Sequence, residues 1–344
     1  VAHTSSQEYE PIHATHDNAA AYRTQQSEGV HMGLISAMQG FCVIGIIILI
    51  GYIAARFRIG GPTAQMVLNR FSYFVSTPCL MFAILSKEHL SDVFKPSIAV
   101  AIACAVITGA IFLGLNATIF HMGSADTTIG VLVSMYMNAN NIGLPIATYI
   151  LGNPAAVTPI VLIQQVLFTP IALTSLDLSS RGRVSVKAIV TQPLHQPILI
   201  GVMIGIVTSA VSDAAGWFVV PSYIYDPINI VGNSAVPLIL MAFGMSLHGS
   251  KPLGKDSNRA ATIVAALLKN AVMPFVAFLL AYFMGFRGAE LYSCVVLAAL
   301  PTAQNVYNYA ARYEAGTTFA RDGILLSTLS SPIFIFVIAG LLGS

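Results

Sequence analysis

Met137-Asn138-Ala139-Asn140-Asn141-Ile142-Gly143-Leu144-Pro145 places three amides, a glycine and a proline inside an otherwise apolar run. Pro145 has no backbone N–H to donate and its ring collides with the preceding turn, so upstream carbonyls lose their partners and a helix should break or kink here. Within a bilayer such backbone is tolerated only where it is buried in protein or lines a cavity. The asparagine side chains then satisfy the freed groups or face that cavity.

A second stretch, Leu300-Pro301-Thr302-Ala303-Gln304-Asn305-Val306-Tyr307-Asn308-Tyr309, again sets a proline beside amides and hydroxyls. Paired broken helices at matching positions of two halves point to the binding site of a secondary transporter. The candidate substrate contacts are Asn138, Asn140 and Asn141 from the first stretch, and Gln304, Asn305, Tyr307 and Asn308 from the second. The plainer alternative is that these amides only bind helices to one another. A half-helix that starts at a break presents free N–H groups and the positive end of its dipole, which suits a carboxylate.

Composition agrees with a membrane setting. Hydrophobic residues fill 56% of the 344 positions and charged residues 9%, against about 25% charged in soluble domains. The apolar residues fall in blocks that meet the ~20 residues a bilayer-crossing helix needs. Expected helices lie near residues 34–55, 64–85, 97–120, 127–151, 157–178, 189–210, 222–247, 260–284, 290–312 and 322–342. The chain thus reads as an all-α integral membrane protein of about ten spans. Residues 1–32 read as a disordered polar tail, 33–179 as a first five-helix repeat, 180–188 as a short cytoplasmic linker and 189–344 as a second repeat.

The halves repeat. Val75-Ser76-Thr77-Pro78-Cys79-Leu80-Met81-Phe82-Ala83 resembles Ser234-Ala235-Val236-Pro237-Leu238-Ile239-Leu240-Met241-Ala242. Pro78 and Pro237 are 159 positions apart, Pro145 and Pro301 156, and Pro170 and Pro332 162. An odd number of spans per half inverts the second half in the bilayer, as in many secondary transporters.

Lys and Arg are retained in cytoplasmic loops. Arg56, Arg58, Arg181, Arg183, Lys187, Lys251, Lys255, Arg259, Arg312 and Arg321 fall on one side, and Arg23, Lys87, Lys95 and Arg287 on the other, which places both termini outside a plasma membrane.

The Asn-rich segment ending Gly143-Leu144-Pro145, and Leu300-Pro301-Thr302-Ala303-Gln304-Asn305 followed by Ala310-Ala311-Arg312-Tyr313, resemble the auxin efflux carrier family, above all its bacterial branch. The likeness runs from Met32 to the C-terminus. It implies two inverted five-helix repeats with crossing broken helices 4 and 9, as in sodium/proton antiporters and bile-acid transporters. It further implies a crossing at Gly143, Pro145 and Pro301, with Asn138 and Asn305 facing substrate from either repeat. A dimer through helices 1, 2, 6 and 7 and a dicarboxylate such as malate or malonate as solute are likewise what the resemblance implies. The short linker departs from the long loop of plant members, which speaks against auxin as the physiological solute.

Two ionisable residues fall within spans. Lys269, in the eighth, is a candidate charge-coupling residue that replaces a cation, attracts the anion or cycles a proton; the alternative is a static ammonium capped by carbonyls. Arg70 is expected to snorkel to the headgroups. No Asp or Glu is expected mid-span, so a carboxylate relay is not evident. Cys42, Cys79, Cys104 and Cys294 lack CxxC spacing, and neither metal nor cofactor is expected. The charge of +2 is too small and dispersed for a nucleic-acid surface. Gly201 and Gly205 form a GxxxG pair, a weak signal for close packing. An intramembrane enzyme would need a nucleophile and base or an HExxH motif, which the sequence lacks. A channel or receptor would have no reason for inverted repeats.

Overall fold

The computed structural model describes residue 39 and residues 42–87, 96–181, 196–248 and 258–343. The polar tail, the linker at 182–188 and several loop cations counted for orientation lie outside them. The helices are α1 (Cys42–Arg56), α2 (Ala64–Leu85), α3 (Ser97–Phe120), α4 (Ser124–Met135), α5 (Leu144–Tyr149) and α6 (Pro154–Ser179). After the linker come α7 (Pro197–Ala215), α8 (Ser222–Leu247), α9 (Arg259–Phe283), α10 (Gly288–Ala298), α11 (Asn305–Arg312) and α12 (Thr317–Leu342). Seven of them, α2, α3, α6, α7, α8, α9 and α12, are long and apolar enough to cross a membrane. Among the described residues the only extended pairing is a single antiparallel bridge, Met137 with Thr302.

Local chemistry sets the helix ends. Gly216, with φ 75°, closes α7 five residues beyond the expected end, because a left-handed residue costs glycine nothing. Gly316, with φ 55°, releases α12 at Thr317, five residues earlier than expected. Four wide π turns, Ser72–Ser76, Ala139–Gly143, Gln164–Phe168 and Leu268–Val272, each end two residues before a proline: Pro78, Pro145, Pro170 and Pro274. The wider turn makes room for the ring, which clashes with the carbonyl four residues back and has no N–H to offer it.

Packing sorts the helices into two groups. α2 lies against α7 and α8, and α1 meets α8 where Gly244 faces the Ile48 carbonyl and Gly51 faces Met241. The GxxxG pair proves to be used: Gly201 presses on the Pro78 backbone and Gly205 on Met81 and Leu85. Lipid supplies no hydrophobic drive between helices, so close backbone approach at small residues does the joining. Ser76 and Ser234, from the matching stretches of α2 and α8, share a hydrogen bond of 2.9 Å. The second group contains α3, α4, α6, α9, α10 and α12, with α3 on α4 and α9, α6 on α4, and α12 on α9, α10 and α11. Both breaks belong to this second group.

Candidate functional site

α4 stops at Met135, after which Tyr136 is extended (φ −84°, ψ 107°). α10 stops at Ala298, and the chain does not resume a helix until Asn305. The two extended pieces run antiparallel and satisfy each other: Asn138 N donates to the Pro301 carbonyl at 2.8 Å, and Ala303 N donates to the Tyr136 carbonyl at 3.0 Å. Side chains pair further freed groups. Thr302 Oγ1 donates to the Val133 carbonyl at 2.5 Å, and Gln164 Nε2 to the Met137 carbonyl at 2.7 Å. On the other break, Lys269 Nζ donates to the Ala298 carbonyl at 2.7 Å and Ser331 Oγ to the Ala299 carbonyl at 2.8 Å.

Pro301 sits at the crossing, but Pro145 does not: the residue that bridges Thr302 is Met137. The reason is capping. Asn138 Oδ1 accepts from Asn141 N at 3.1 Å and starts the new helix there, so the amide fixes the break and Pro145 falls in the first turn of α5, where its missing N–H costs little. Gly143 lies against the other break, since a Cβ there would be 2.8 Å from Leu300 Cδ1.

All seven residues expected to contact substrate, Asn138, Asn140, Asn141, Gln304, Asn305, Tyr307 and Asn308, line one cavity of about 1000 Å³. Asn141 Nδ2 donates to Gln304 Oε1 at 3.2 Å, which joins the two clusters directly. The same wall holds Gln65, Asn69, Arg70, Tyr73, Gln164, Gln165, Gln196 and Arg321, and among the described lining residues there is no Asp or Glu. Sequence reasoning passed over Gln164 and Gln165, although two adjacent amides inside an apolar helix were a readable signal. Gln165 Oε1 is buried with no hydrogen-bond partner among the described residues. Tyr73 could be linked to Gln196 only by the fold, in which its hydroxyl donates to Gln196 Oε1. Arg70, expected at the headgroups, lines this cavity instead.

Among the described residues three charged side chains are buried. Lys269 is wholly buried but does not line the amide cavity, sitting instead at the C-terminal end of α10. Asp322 is also wholly buried and accepts from Arg321 Nε at 2.9 Å. The expected span began at residue 322; because α12 starts at Thr317, this carboxylate lies inside the helix rather than at its end. Asp177, expected near an end, is buried too and accepts from the Tyr313 hydroxyl at 2.9 Å.

A second cavity, of about 430 Å³, lies across the crossing and is lined by Ser97, Val100, Asn153, Phe286, Glu290 and Cys294, among others. Met137 lines both cavities. The first turns of α2 line the larger cavity, and those of α3 and α10 line the smaller.

A family model described as "Membrane transport protein" matches residues 37–186 and 180–339. The chain belongs to the auxin efflux carrier family of membrane transport proteins. An uncharacterized transporter of Methanocaldococcus jannaschii is 24% identical over 85% of this chain and 94% of its own length. An uncharacterized transporter of Methanothermobacter thermautotrophicus is 24% identical over 84% and 92% of the two chains. A Rhizobium meliloti protein named "Putative malonate transporter" is 26% identical over 83% and 89%. With its apolar helices, membership in this family makes the chain a multi-pass membrane transporter.

Proposed function

We propose that this transporter is a secondary carrier of a small organic anion, held in the larger cavity at the crossing and moved by alternating access. The observation that carries the reading is the chemistry of the cavity wall: amides from both breaks, the guanidinium groups of Arg70 and Arg321, and no carboxylate among the described lining residues. Amide N–H₂ groups and the N-terminal end of α11 would donate to a carboxylate, and the arginines would offset its charge. Asp322 behind Arg321 leaves Arg70 as the cation without an ion pair among the described residues. The cavity is ample for a dicarboxylate, and the name of the Rhizobium meliloti relative makes malonate the first solute to try.

In this reading the chain crosses a plasma membrane ten times, with α4 and α5 forming one span and α10 and α11 another. The antiparallel pairing of the breaks and the Ser76–Ser234 contact between matching stretches support two inverted repeats. The Lys and Arg distribution turns the larger cavity, lined by the start of α2 that follows Arg56 and Arg58 in the chain, toward the cytoplasm. The group bearing both breaks then moves against α1, α2, α7 and α8, and Met137 passes from one side of the solute to the other. Exposed apolar residues such as Leu49, Ile53, Ile204 and Val207 on α1 and α7 suit a lipid-facing or dimer-forming scaffold.

Thermal stabilisation tests this. Malonate, malate and succinate should raise the melting temperature of the purified protein, whereas neutral malonamide should not. Asn138→Ala should weaken the effect about ten-fold, equivalent to ~1.4 kcal/mol. Equal shifts with malonamide, or wild-type affinity in Asn138→Ala, would remove the anion site.

A further inference from the structure

We propose that the ammonium of Lys269 is a cation built into the second break, occupying the charge position that a carrier of this design otherwise fills with a bound monovalent ion. The inference rests on the carrier reading above and deepens it. Half-helix C-terminal ends and unwound carbonyls in broken-helix carriers gather negative potential and hold the coupling ion. Here α10 ends at Ala298 in the middle of the protein, and its last carbonyl accepts from Lys269 Nζ at 2.7 Å. Lys269 is 0% exposed, and no ion pair balances it among the described residues. A buried ammonium without a carboxylate is costly. The negative end of α10 is what lowers that cost.

The surroundings supply oxygen rather than charge. The Ala299 carbonyl accepts from Ser331 Oγ at 2.8 Å. Asn270, wholly buried beside Lys269 in the sequence, turns its Nδ2 to the Ser327 carbonyl at 2.6 Å and to Ser330 Oγ at 2.7 Å. Its Oδ1 is buried with no hydrogen-bond partner among the described residues. The Ala298 carbonyl is the acceptor that the ammonium would leave open to a small cation.

The test measures melting temperature without any organic solute, in sodium chloride, methylammonium chloride and choline chloride at equal ionic strength. Choline is too large for a site buried among helices, so it reports ionic strength alone. Wild type and Lys269→Arg should melt alike in all three salts. Lys269→Gln should melt several degrees higher in sodium or methylammonium chloride than in choline chloride. Ser331→Ala, which removes a neutral donor from the neighbouring carbonyl, should lose stability equally in all three. A sodium-specific shift in the wild type overturns the proposal, as does the absence of any cation-specific shift in Lys269→Gln. Should Lys269→Gln be lost in choline chloride, its recovery in sodium or methylammonium chloride supports the proposal and its loss in all three overturns it. Because no organic anion is added and chloride is common to all three salts, failure here leaves the carrier reading to be decided by the malonate titration.

Discussion

The two breaks share a sequence pattern but are finished differently. At the first, neutral groups close the end of α4: the Thr302 hydroxyl takes the Val133 carbonyl, the Gln164 amide takes the Met137 carbonyl, and Asn138 caps the helix that follows. At the second, a full charge stands at the end of α10, where Lys269 takes the Ala298 carbonyl, and Ser331 assists on Ala299. A proline beside amides therefore dictates that a helix is interrupted, but not which chemistry repairs the interruption. Both breaks put amides into the cavity and so can serve recognition. The second alone adds a buried lysine, which does not line that cavity.

Substitutions can break this contrast or sharpen it. The largest effect on stability is expected from Thr302→Val, because the lost hydroxyl bond joins one half to the other. It leaves the Val133 carbonyl buried and unpaired, a cost of about 1–3 kcal/mol, measurable by thermal or denaturant unfolding in detergent. Ser331→Ala should cost less, about 0.5–1.5 kcal/mol, since Lys269 still holds the adjacent carbonyl within the same half. The reverse order would show that the second break, not the first, carries the joint. The smallest effect is reserved for Asn141 and Gln304, whose side chains touch across the cavity floor at 3.2 Å. A double-mutant cycle with Asn141→Ala and Gln304→Ala should give a coupling of about 0.5–1 kcal/mol. Strict additivity would mean that the two halves meet only through their backbones.

Much of this was readable before any coordinates. The apolar blocks located the helices, with ends off by as much as eight residues at the start of α7, and the two polar interruptions marked the cavity, because a bilayer tolerates unpaired backbone nowhere else. All seven amide and tyrosine candidates line one space. Other features were not readable. The family resemblance implied a crossing at Pro145, yet Asn138 sets the break upstream by capping the new helix, an outcome that depends on which N–H its side chain reaches. Arg70 looked like a headgroup anchor because a single helix does not tell which neighbour covers it; α8 and α11 bring their polar residues to the same wall. The expected span 322–342 would put Asp322 at its first residue; the left-handed turn at Gly316 starts α12 earlier and takes Asp322 inside it.

The sequence by itself determined that this chain lives in a membrane, that its helices are interrupted twice, and that amides gather at the interruptions. Each follows from hydration: apolar runs of that length and polar clusters of that kind have few other stable settings. Only the tertiary structure decided that the interruptions meet, with Met137 against Thr302 and Met137 lining both cavities. It alone placed Lys269 at the end of α10 rather than in the cavity. Pairing across more than 150 residues depends on how helices pack, and helix packing in lipid is set by small-residue contacts such as Gly201 on Pro78 and Gly244 on Ile48, whose partners no local pattern names.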